Sequence, residues 1–472
     1  MSTILQPNGI ASGDTTQTST VLWTRSTVLG TVTFEYSTDR NFSTIAGTVN
    51  ATVTDPLLPV KTQLSGLTAG TKYYYRVTNT AGAKLDGEFK TSTALGKRQG
   101  LQFGVAGDWR GELSPYPAIA NAAALSLDFF VEHGDTIYAD FPSPVLPGVD
   151  QATTLAQYRL KHSEVYSDRF GSNTWADLRR STSIFATIDD HEVINDFSGG
   201  AAAATDPRFD TNSGLINDTS LFDNGLQAFQ DYNPLRDEFY GATGDVRTDG
   251  ERKLYRYNTH GNDAATIVLD NRSFRDTPLP GVTDLTSAVQ IGAFLAQSFD
   301  LNPTNGQPTA SRTLLGQTQL TDLKADLLDA ETKGITWKFV MVPEPIQNLG
   351  VVGASDRFEG YAAERTEILK FIGDNDIDNV IFVSADIHGT VVNNLTYQLG
   401  PGQQQIATNA FEISTGSVAF DAPFGQTVAQ LGAGLGIIDA TTKAFYDSLP
   451  IANDADSIVN DKDDFIKQFV NP

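Results

Sequence analysis

The sequence contains no cysteine, and it has only two methionines and five histidines among 472 residues. The absence of cysteine excludes disulfide bonds, thiolate metal sites and thiol nucleophiles. No apolar run approaches the roughly 18 residues that a membrane-spanning helix requires. The first residues, MSTILQPNGIASGD, have no basic region before an apolar core and so predict no signal peptide. These absences leave two alternatives, a cytoplasmic protein or a mature secreted form whose leader was removed.

Basic residues are outnumbered by acidic ones. The chain has 33 Lys and Arg against 57 Asp and Glu, which gives a formal net charge of −24. Such a surface disfavours nucleic acid as a routine partner, because phosphate backbones bind basic surfaces. A phosphate compound could still be a substrate if bound cations reversed the local field. The charge therefore constrains the active site more than it constrains the substrate.

The first part of the chain has the pattern of a β-sandwich. Segments such as TSTVLWTRS and TVTFEYSTD are short, rich in β-branched and aromatic residues, and separated by turn residues. In LSGLTAGTKYYYRVTN, Tyr73 resembles the corner tyrosine of a fibronectin-type sandwich, whose hydroxyl bonds back to upstream backbone. We therefore predict a fibronectin- or immunoglobulin-like β-sandwich domain over residues 1–95.

From residue 96 the pattern changes to apolar strands that alternate with helical segments. LTDLKADLLDAETKG and AERTEILKFIGDND have apolar residues at helical spacing before two further strands, and YPAIANAAALS has helical composition. This alternation predicts an α/β domain over residues 96–472 with a largely buried sheet. The segment near 197–250 is rich in Gly, Ala, Asp and Asn and predicts an insertion or lid.

The acidic tail NDADSIVNDKDDF lacks the ligand spacing of a calcium-binding hand. We expect it to be a solvated surface, because runs of like charge are usually hydrated.

Four apolar strands are each followed by acidic or histidine residues. The segments are FGVAGDWRG with Asp108 and Arg110, FVEHGDTIYAD with Asp135 and Tyr138, IFATIDDHEVIND with Asp189, Asp190 and His191, and NVIFVSADIHG with Asp386 and His388. In open α/β sheets the carboxyl ends of strands converge on one crevice. Uncompensated carboxylates at about 4 Å repel each other by around 1–4 kcal/mol, and bound cations relieve that repulsion. The layout therefore predicts a metal site.

Asp108, GDTIY, DDHE and ADIH resemble the ordered motifs of the calcineurin-like metallophosphoesterases. Together with GIASGD and TSTVLWTRS, they are similar to the PhoD-type alkaline phosphatases and phosphodiesterases over nearly the whole chain. The resemblance implies an N-terminal β-sandwich followed by a metallophosphoesterase β-sandwich flanked by helices. It also implies hydrolysis of phosphate monoesters, small phosphate-ester substrates, an alkaline working pH and an extracytoplasmic location.

The first motif departs from the PhoD pattern, which usually has a cysteine as an iron ligand there. GDWRG is instead similar to the first motif of purple acid phosphatases. By that similarity Asp108 replaces the thiolate, Asp135 bridges two metals, Tyr138 binds the harder ion, and His388 completes the first site. Phenolate is a suitable ligand for ferric iron, and an oxygen and nitrogen ligand set is chemically consistent with it.

The resemblance implies a second metal site held by Asp135, Asp190 and Asp386, with Glu344 as a further candidate. Oxygen-rich, anionic ligation favours calcium, manganese or magnesium over zinc. The PhoD resemblance implies Fe³⁺ with one or two Ca²⁺. Mn²⁺, Mg²⁺ and Zn²⁺ are the alternatives at the second site.

Three side chains are the candidate catalytic residues beside a metal-activated hydroxide. His191 is suited to protonate the leaving oxygen or to stabilise the equatorial charge, and Arg110 to bind the phosphate. Arg272 follows another strand end in VLDNRSFRD, where Arg275 also lies. These two arginines either orient the phosphate or only pair with Asp270 and Asp276.

For the remaining polar residues we weigh a structural role against a functional one. His133 precedes the glycine of its motif, and we expect it to point into the core. Asp189 either binds metal or holds His191. His162 and His260 lie outside the motifs, and we expect them at the surface.

Two alternatives to a phosphomonoesterase remain open. One is a phosphodiesterase or phospholipase D-like hydrolase of the same fold, which would differ in loops such as Phe141–Gly148. The other is a non-enzymatic, calcium-stabilised binding protein, which would have no need for His191 and His388 beside carboxylates.

Overall fold

The computed structural model describes residues 5–419 and, beyond them, 429–430, 432–434, 436, 438–450, 459–462 and 465. Most of the acidic tail NDADSIVNDKDDF, which we predicted to be a solvated surface, lies outside the described residues.

Seven strands form the N-terminal β-sandwich. One of its sheets has β1 (Ile10–Gly13), β2 (Ser19–Thr24) and β5 (Val60–Ser65), and the other has β3 (Gly30–Ser37), β4 (Gly47–Val53), β6 (Lys72–Thr78) and β7 (Lys84–Lys90). Along β6, Tyr73, Tyr75 and Val77 are buried between the sheets. The Tyr73 hydroxyl accepts a hydrogen bond of 3.0 Å from the backbone N–H of Thr68, which confirms the predicted tyrosine corner.

The other strands complete two six-stranded sheets. β8 (Phe103–Ala106), β9 (Phe129–His133) and β10 (Ser183–Thr187) extend the sheet of β1 in the order β5-β2-β1-β10-β9-β8. The second sheet has β11 (Arg256–His260), β12 (Ala264–Val268), β13 (Trp337–Met341), β14 (Val380–Ser384), β15 (Val391–Tyr397) and β16 (Ile406–Ser414), in the order β11-β12-β13-β14-β16-β15. β8, β9 and β10 are mutually parallel, and so are β12, β13 and β14.

The two large sheets pack face to face and helices cover their outer faces. In β9, Phe129 and Val131 point between the sheets, whereas Phe130 points to the helices on the outside. The first sheet is covered by α1 (Leu155–Val165), α2 (Thr174–Ser181) and α3 (Ser220–Tyr232), and the second by α5 (Gln317–Thr332) and α6 (Ala362–Asp374). The other described helices are α4 (Ala288–Ser298) and α7 (Ala440–Ser448). This arrangement confirms the expected β-sandwich flanked by helices.

One connection was not expected from the sequence. β1 of the N-terminal sandwich pairs in parallel with β10, with Ser12 opposite Ser183, so the two predicted domains share a continuous sheet. The domain boundary near residue 95 therefore stays a prediction made from the sequence. The segment near 197–250 contains α3, whose Phe222, Leu226 and Phe229 pack into the core.

The prediction of helical structure for YPAIANAAALS was wrong. YPAIANAAALS forms two short 3₁₀ turns, Pro117–Ile119 and Ala122–Leu125, because Pro115, Pro117 and a left-handed Ser126 leave too few residues for a stable α-helix.

His162 and His260 are buried rather than at the surface. The His162 ring stacks on Tyr232 with ring centroids 5.8 Å apart, and the His260 ring stacks on Phe129 at 4.8 Å. Burial lowers the pKa of His162 to about 3 and that of His260 to about 4, so both rings are neutral and pack as aromatic groups.

Candidate metal centre

The predicted ligands follow strand ends in a backbone conformation that few residues adopt. Asp108, Asp135, Asp386 and His388 have φ angles of 63°, 50°, 65° and 57°. A left-handed conformation costs a non-glycine residue roughly 1–3 kcal/mol, and such residues cluster at functional sites. Because four predicted ligands have this left-handed conformation, their backbone supports a functional site at this edge of the sheets.

Two glycines allow the ligand loops to approach each other. A Cβ atom on Gly134 would lie 2.7 Å from the Cβ of Asp189, and one on Gly107 would lie 2.8 Å from the Cβ of Ala385. Both distances are shorter than van der Waals contact, so only glycine fits. The glycines before Asp108 and Asp135 thus bring loops of both sheets together.

His133 also joins the two sheets at this edge. Its Nε2 lies 2.9 Å from the carbonyl oxygen of Val342 and 2.8 Å from that of Val383, so Nε2 carries a proton and donates to them. Burial lowers the pKa of His133 to about 4. The expected core role of His133 is confirmed.

The first ligand group contains Asp108, Asp135 and His388. One ligand atom from each lies within 4.8 Å of the others, a spacing that could hold a metal ion. The Tyr138 hydroxyl lies between them, 3.1 Å from Asp135 Oδ2 and 3.1 Å from His388 Nε2. Both carboxylate oxygens of Asp108 are buried and accept no hydrogen bond from the described residues. A cation is the partner that such an oxygen and nitrogen set fits.

The second ligand group contains Asp135, Asp190 and His191, again with ligand atoms within 4.8 Å. Asp135 belongs to both groups, which is the position of a bridging ligand. The Nδ1 of His191 lies 2.6 Å from Asp140 Oδ1, and its Nε2 lies 3.9 Å from Asp190 Oδ1. Asp140 therefore orients the imidazole ring and leaves Nε2 directed toward the carboxylates.

The electrostatics of the cluster are unfavourable without cations. Burial, followed by repulsion from neighbouring carboxylates, raises the pKa of Asp108 and of Asp135 well above the usual range. The pKa of Asp386 is raised well above its usual range by burial and by Asp189. Cations bound among these side chains would remove both penalties.

Asp386 is close to the cluster but lies outside its ligand groups. It belongs to none of the three-residue groups that the described part of the chain contains, although Asp189 and Asp190 influence its pKa. Its assignment as a ligand of the second site stays a prediction.

Glu344 does not point to the ligand groups. Its carboxylate is fully buried and pairs with Arg272 Nη2 at 2.5 Å and with Arg275 Nη2, and it also accepts a 2.7 Å hydrogen bond from Asn271. Two guanidinium groups occupy the oxygens that a cation would need. The assignment of Glu344 as a metal ligand therefore stays a prediction.

Arg272 is likewise engaged by carboxylates. Its Nε donates to Asp189 Oδ1 at 2.6 Å, and Nη1 and Nη2 form two hydrogen bonds of 2.9 and 3.0 Å with Asp356. The side chain is fully buried. The Arg272 guanidinium thus pairs with carboxylates other than those of Asp270 and Asp276, and its role in orienting the phosphate stays a prediction. The same contacts show that Asp189 holds Arg272, whereas Asp140 holds His191.

Arg110 lies beside Asp108 on the first ligand loop. Its guanidinium pairs with Glu112 and stacks 4.2 Å from the centre of the Phe141 ring. Phe141 in turn packs edge-on against Tyr138, with ring centroids 6.3 Å apart. These contacts place a positive charge next to the first ligand group.

Sequence reasoning missed four carboxylates of this region. They are Asp140, Glu192, Asp196 and Asp356. Asp190, Asp196 and Asp356 form a third group with ligand atoms within 4.8 Å. Asp140 and Asp196 lie at the ends of the quoted motifs TIYAD and DDHEVIND, and this position could have indicated them. No local pattern marks Asp356, which reaches the site through its contacts with Arg272 and Arg275.

Sequence profiles identify the family. The profile of the PhoD-like phosphatase family matches residues 105–457, and that of its N-terminal domain matches residues 5–93. The chain belongs to the PhoD-like phosphatase family, which confirms the resemblance found in its motifs.

A curated relative and a solved structure are similar to this chain. Alkaline phosphatase D of Bacillus subtilis strain 168 is 26% identical over 423 residues, an alignment that covers 82% of this chain and 65% of that protein. A solved structure of PhoD superposes with a TM-score of 0.69 at 24% identity, covering 88% of this chain and 78% of the other. At that identity the likeness shows the fold. Among the described helices, none is long and apolar enough to cross a bilayer.

Proposed function

We propose that this protein hydrolyses phosphate monoesters with the help of bound cations. The observation that carries the proposal is Asp135, whose carboxylate belongs to two adjoining ligand groups and so suits two neighbouring cations. Cations in these positions would bind phosphoryl oxygens and activate a water molecule. The similarity to alkaline phosphatase D of Bacillus subtilis supports the same reaction.

The ligand assignment extends the two groups. Asp108, Tyr138 and His388 would hold Fe³⁺, and Asp190 would hold Ca²⁺ with Asp386 as a further ligand. Asp135 would serve both ions, and His191 of the second group is kept as the proton donor. The fit of a ferric ion rests on the phenol of Tyr138, which lies 3.1 Å from both Asp135 and His388. The third group, which includes Asp196 and Asp356, is consistent with a second Ca²⁺. Mn²⁺, Mg²⁺ and Zn²⁺ stay alternatives at the second site.

The chain itself supplies proton transfer and phosphate binding. Water attacks phosphorus and gives up one proton, the P–O ester bond breaks, and the leaving oxygen takes a proton from His191 Nε2. The proton lost by water then restores His191. Asp140 keeps the ring in position through Nδ1. Arg110 binds a phosphoryl oxygen, because its stacking on Phe141 and pairing with Glu112 hold the guanidinium beside the ligands.

The reaction is tested with p-nitrophenyl phosphate. We expect hydrolysis that a chelator abolishes and added calcium restores. Asp135→Asn or His191→Ala lowers kcat by about 10²–10⁴-fold, the usual contribution of positioned acid–base groups and cations. Asp86→Asn, which changes an exposed carboxylate of the N-terminal sandwich, is the control and leaves turnover unchanged.

Unchanged turnover of Asp135→Asn would show that the site is wrongly assigned. Faster hydrolysis of bis-p-nitrophenyl phosphate than of the monoester would instead favour the phosphodiesterase alternative.

The metals are tested by elemental analysis and colour. We expect iron and calcium in the purified protein, and a violet or brown colour from tyrosinate-to-iron charge transfer that Tyr138→Phe removes. A protein without iron would refute the ferric site. An extracytoplasmic location is part of the proposal, on the grounds of the family resemblance, and cell fractionation decides it.

A further inference from the structure

Glu192 is a fully buried carboxylate that joins the two central ligand loops. Its Oε1 accepts a hydrogen bond of 2.5 Å from the backbone N–H of Thr136. Its Oε2 accepts from the backbone N–H of Asp135 at 3.1 Å and from that of Asp189 at 2.8 Å. One side chain thus binds the loop after β9 and the loop after β10.

These contacts begin where the sheet stops. The last paired residues of β9 and β10 are His133 and Thr187. Beyond them the two loops are joined by a backbone hydrogen bond of 3.0 Å from Ala139 to the carbonyl oxygen of His191, by the His191 N–H, which donates to Asp135 Oδ1 at 3.2 Å, and by Glu192. Asp135 lies there with a φ angle of 50°, and Gly134 is in close contact with Asp189. A buried N–H group without a partner is costly, so the acceptors of Glu192 stabilise this backbone arrangement.

We propose that Glu192 is a positioning residue that sets the spacing of Asp135 and Asp190 and thereby the affinity for cations. The inference rests on the cation site proposed above. Outer groups that orient ligands typically change metal affinity by 10- to 100-fold when they are replaced. Glu192 acts on the backbone of the ligand residues and touches no substrate.

The geometry requires a carboxylate of this length. Both oxygens of Glu192 accept from N–H groups, and the amide introduced by Glu192→Gln would direct an NH₂ group at one of these donors. The shorter side chain introduced by Glu192→Asp would keep the charge but would lack the methylene that it needs to reach both loops. The two substitutions therefore separate the effect of position from the effect of charge.

The chain also offers a matched control. Glu364 is buried in the same way, and its Oε1 accepts from the backbone N–H groups of Leu314 and Leu315 at 3.1 and 3.0 Å. It ties α6 to the loop before α5 and contacts no predicted ligand. Glu364→Gln removes a comparable buried acceptor without affecting the ligand loops.

The test is a calorimetric titration of the metal-free full chain with Ca²⁺. We expect Glu192→Gln and Glu192→Asp each to raise the Kd by about 10- to 100-fold, and Glu364→Gln to leave it unchanged. Glu192→Asp with wild-type affinity would overturn the proposal, because charge alone would then explain the effect. Wild-type affinity of Glu192→Gln would overturn it as well.

The two proposals fail in different ways. If the wild-type protein binds no Ca²⁺, the cation site is wrong and the role of Glu192 falls with it. If the wild-type protein binds and the Glu192 variants bind equally well, only the role of Glu192 is wrong.

If the variants do not fold, hydrogen exchange of the metal-free wild-type protein tests the role of Glu192. We expect slow exchange of the amides of Asp135, Thr136 and Asp189, and rapid exchange at these positions would overturn the proposal.

Discussion

Asp108 is a buried carboxylate whose ionised form is unfavourable in the metal-free protein. It is fully buried, its backbone is in the left-handed region, and its oxygens accept no hydrogen bond from the described residues. The pKa of Asp108 is raised first by burial and then by the charge of Asp189. In the metal-free protein this carboxylate opposes folding, and in the proposed site it would be a metal ligand.

We therefore expect Asp108→Asn to make the metal-free protein more stable and to reduce the stabilisation that metal binding gives. Removing one buried like charge should raise the free energy of unfolding by about 1–4 kcal/mol in a chelator. The variant should also lose most of the increase in Tm that metal gives to the wild type. Thermal melts with and without metal measure both effects. A variant less stable than the wild type in chelator would contradict this account.

Three loops are each bound by a buried glutamate that accepts hydrogen bonds from backbone N–H groups. Glu192 holds the ligand loops, Glu364 holds the loop before α5, and Glu412 on β16 accepts from Ile346 and Gln347 at 2.9 and 2.7 Å. The N–H groups bound by Glu192 and Glu412 lie beyond strand ends, and those bound by Glu364 precede α5, so side chains satisfy them. Burial raises the pKa of each of the three glutamates to about 7.

For Glu364 this shift predicts a pH dependence of stability. Burial raises its pKa from 4.5 to about 7 against the hydrogen bonds from Thr313, Leu315 and Leu314. Because the folded pKa is above the unfolded one, the added stability is complete below pH 4.5 and is lost as pH rises through 7. The loss amounts to about 3 kcal/mol.

Urea unfolding of the wild type and of Glu364→Gln between pH 4.5 and 8 measures the difference. The variant should lose less stability over this range, because its amide does not titrate. Identical pH profiles would contradict the assignment.

At the scale of the whole molecule, the N-terminal sandwich is a structural part of the catalytic fold. β1 pairs with β10, and Asp14, just beyond β1, lies 2.9 Å from Arg256 Nε on β11 of the second sheet. Asp14 also accepts a 2.9 Å hydrogen bond from the backbone N–H of Arg236. One buried carboxylate thus connects the sandwich with β11 of the second large sheet and with the loop before it.

We expect Asp14→Asn to destabilise the protein by about 3–5 kcal/mol, because Arg256 would stay buried with only Glu238, at 3.4 Å and partly exposed, as a counter-charge. The exposed pair of Arg76 and Asp86 is the control, and Asp86→Asn should cost less than about 1 kcal/mol. Thermal or urea unfolding at pH 7 measures both. Equal effects of the two substitutions would show that the buried pair does not tie the sheets together.

The pair of Asp14 and Arg256 also predicts that acid lowers the stability of the protein. Burial alone would raise the pKa of Asp14, but Arg256 and Arg236 outweigh it and lower the pKa below 3.8. The stability that Asp14 contributes is therefore present above pH 3.8 and is lost as pH falls through the folded pKa.

Much of the fold and of the ligand set could be predicted because the signals are local. Alternating or continuous apolar residues mark β6, β9 and β14, and helical spacing marks α5 and α6. A ligand placed directly after a parallel strand must lie at one edge of its sheet. Asp108, Asp135, Asp190 and His388 are of this kind, and the structure brings them together.

The remaining features depend on contacts between residues far apart in the chain. Glu344 and Arg272 follow strand ends as the ligands do, but Arg272 lies against Asp189 and Asp356 and also pairs with Glu344. The burial of His162 and His260 and the pairing of β1 with β10 are likewise invisible locally.

The sequence by itself thus determined which side chains reach the edge of the sheets, because strand periodicity and chain direction set that position. Only the tertiary structure decided which of these side chains face one another and which are neutralised by arginine. Charge pairing depends on distances of a few ångströms between segments that the sequence separates by many residues.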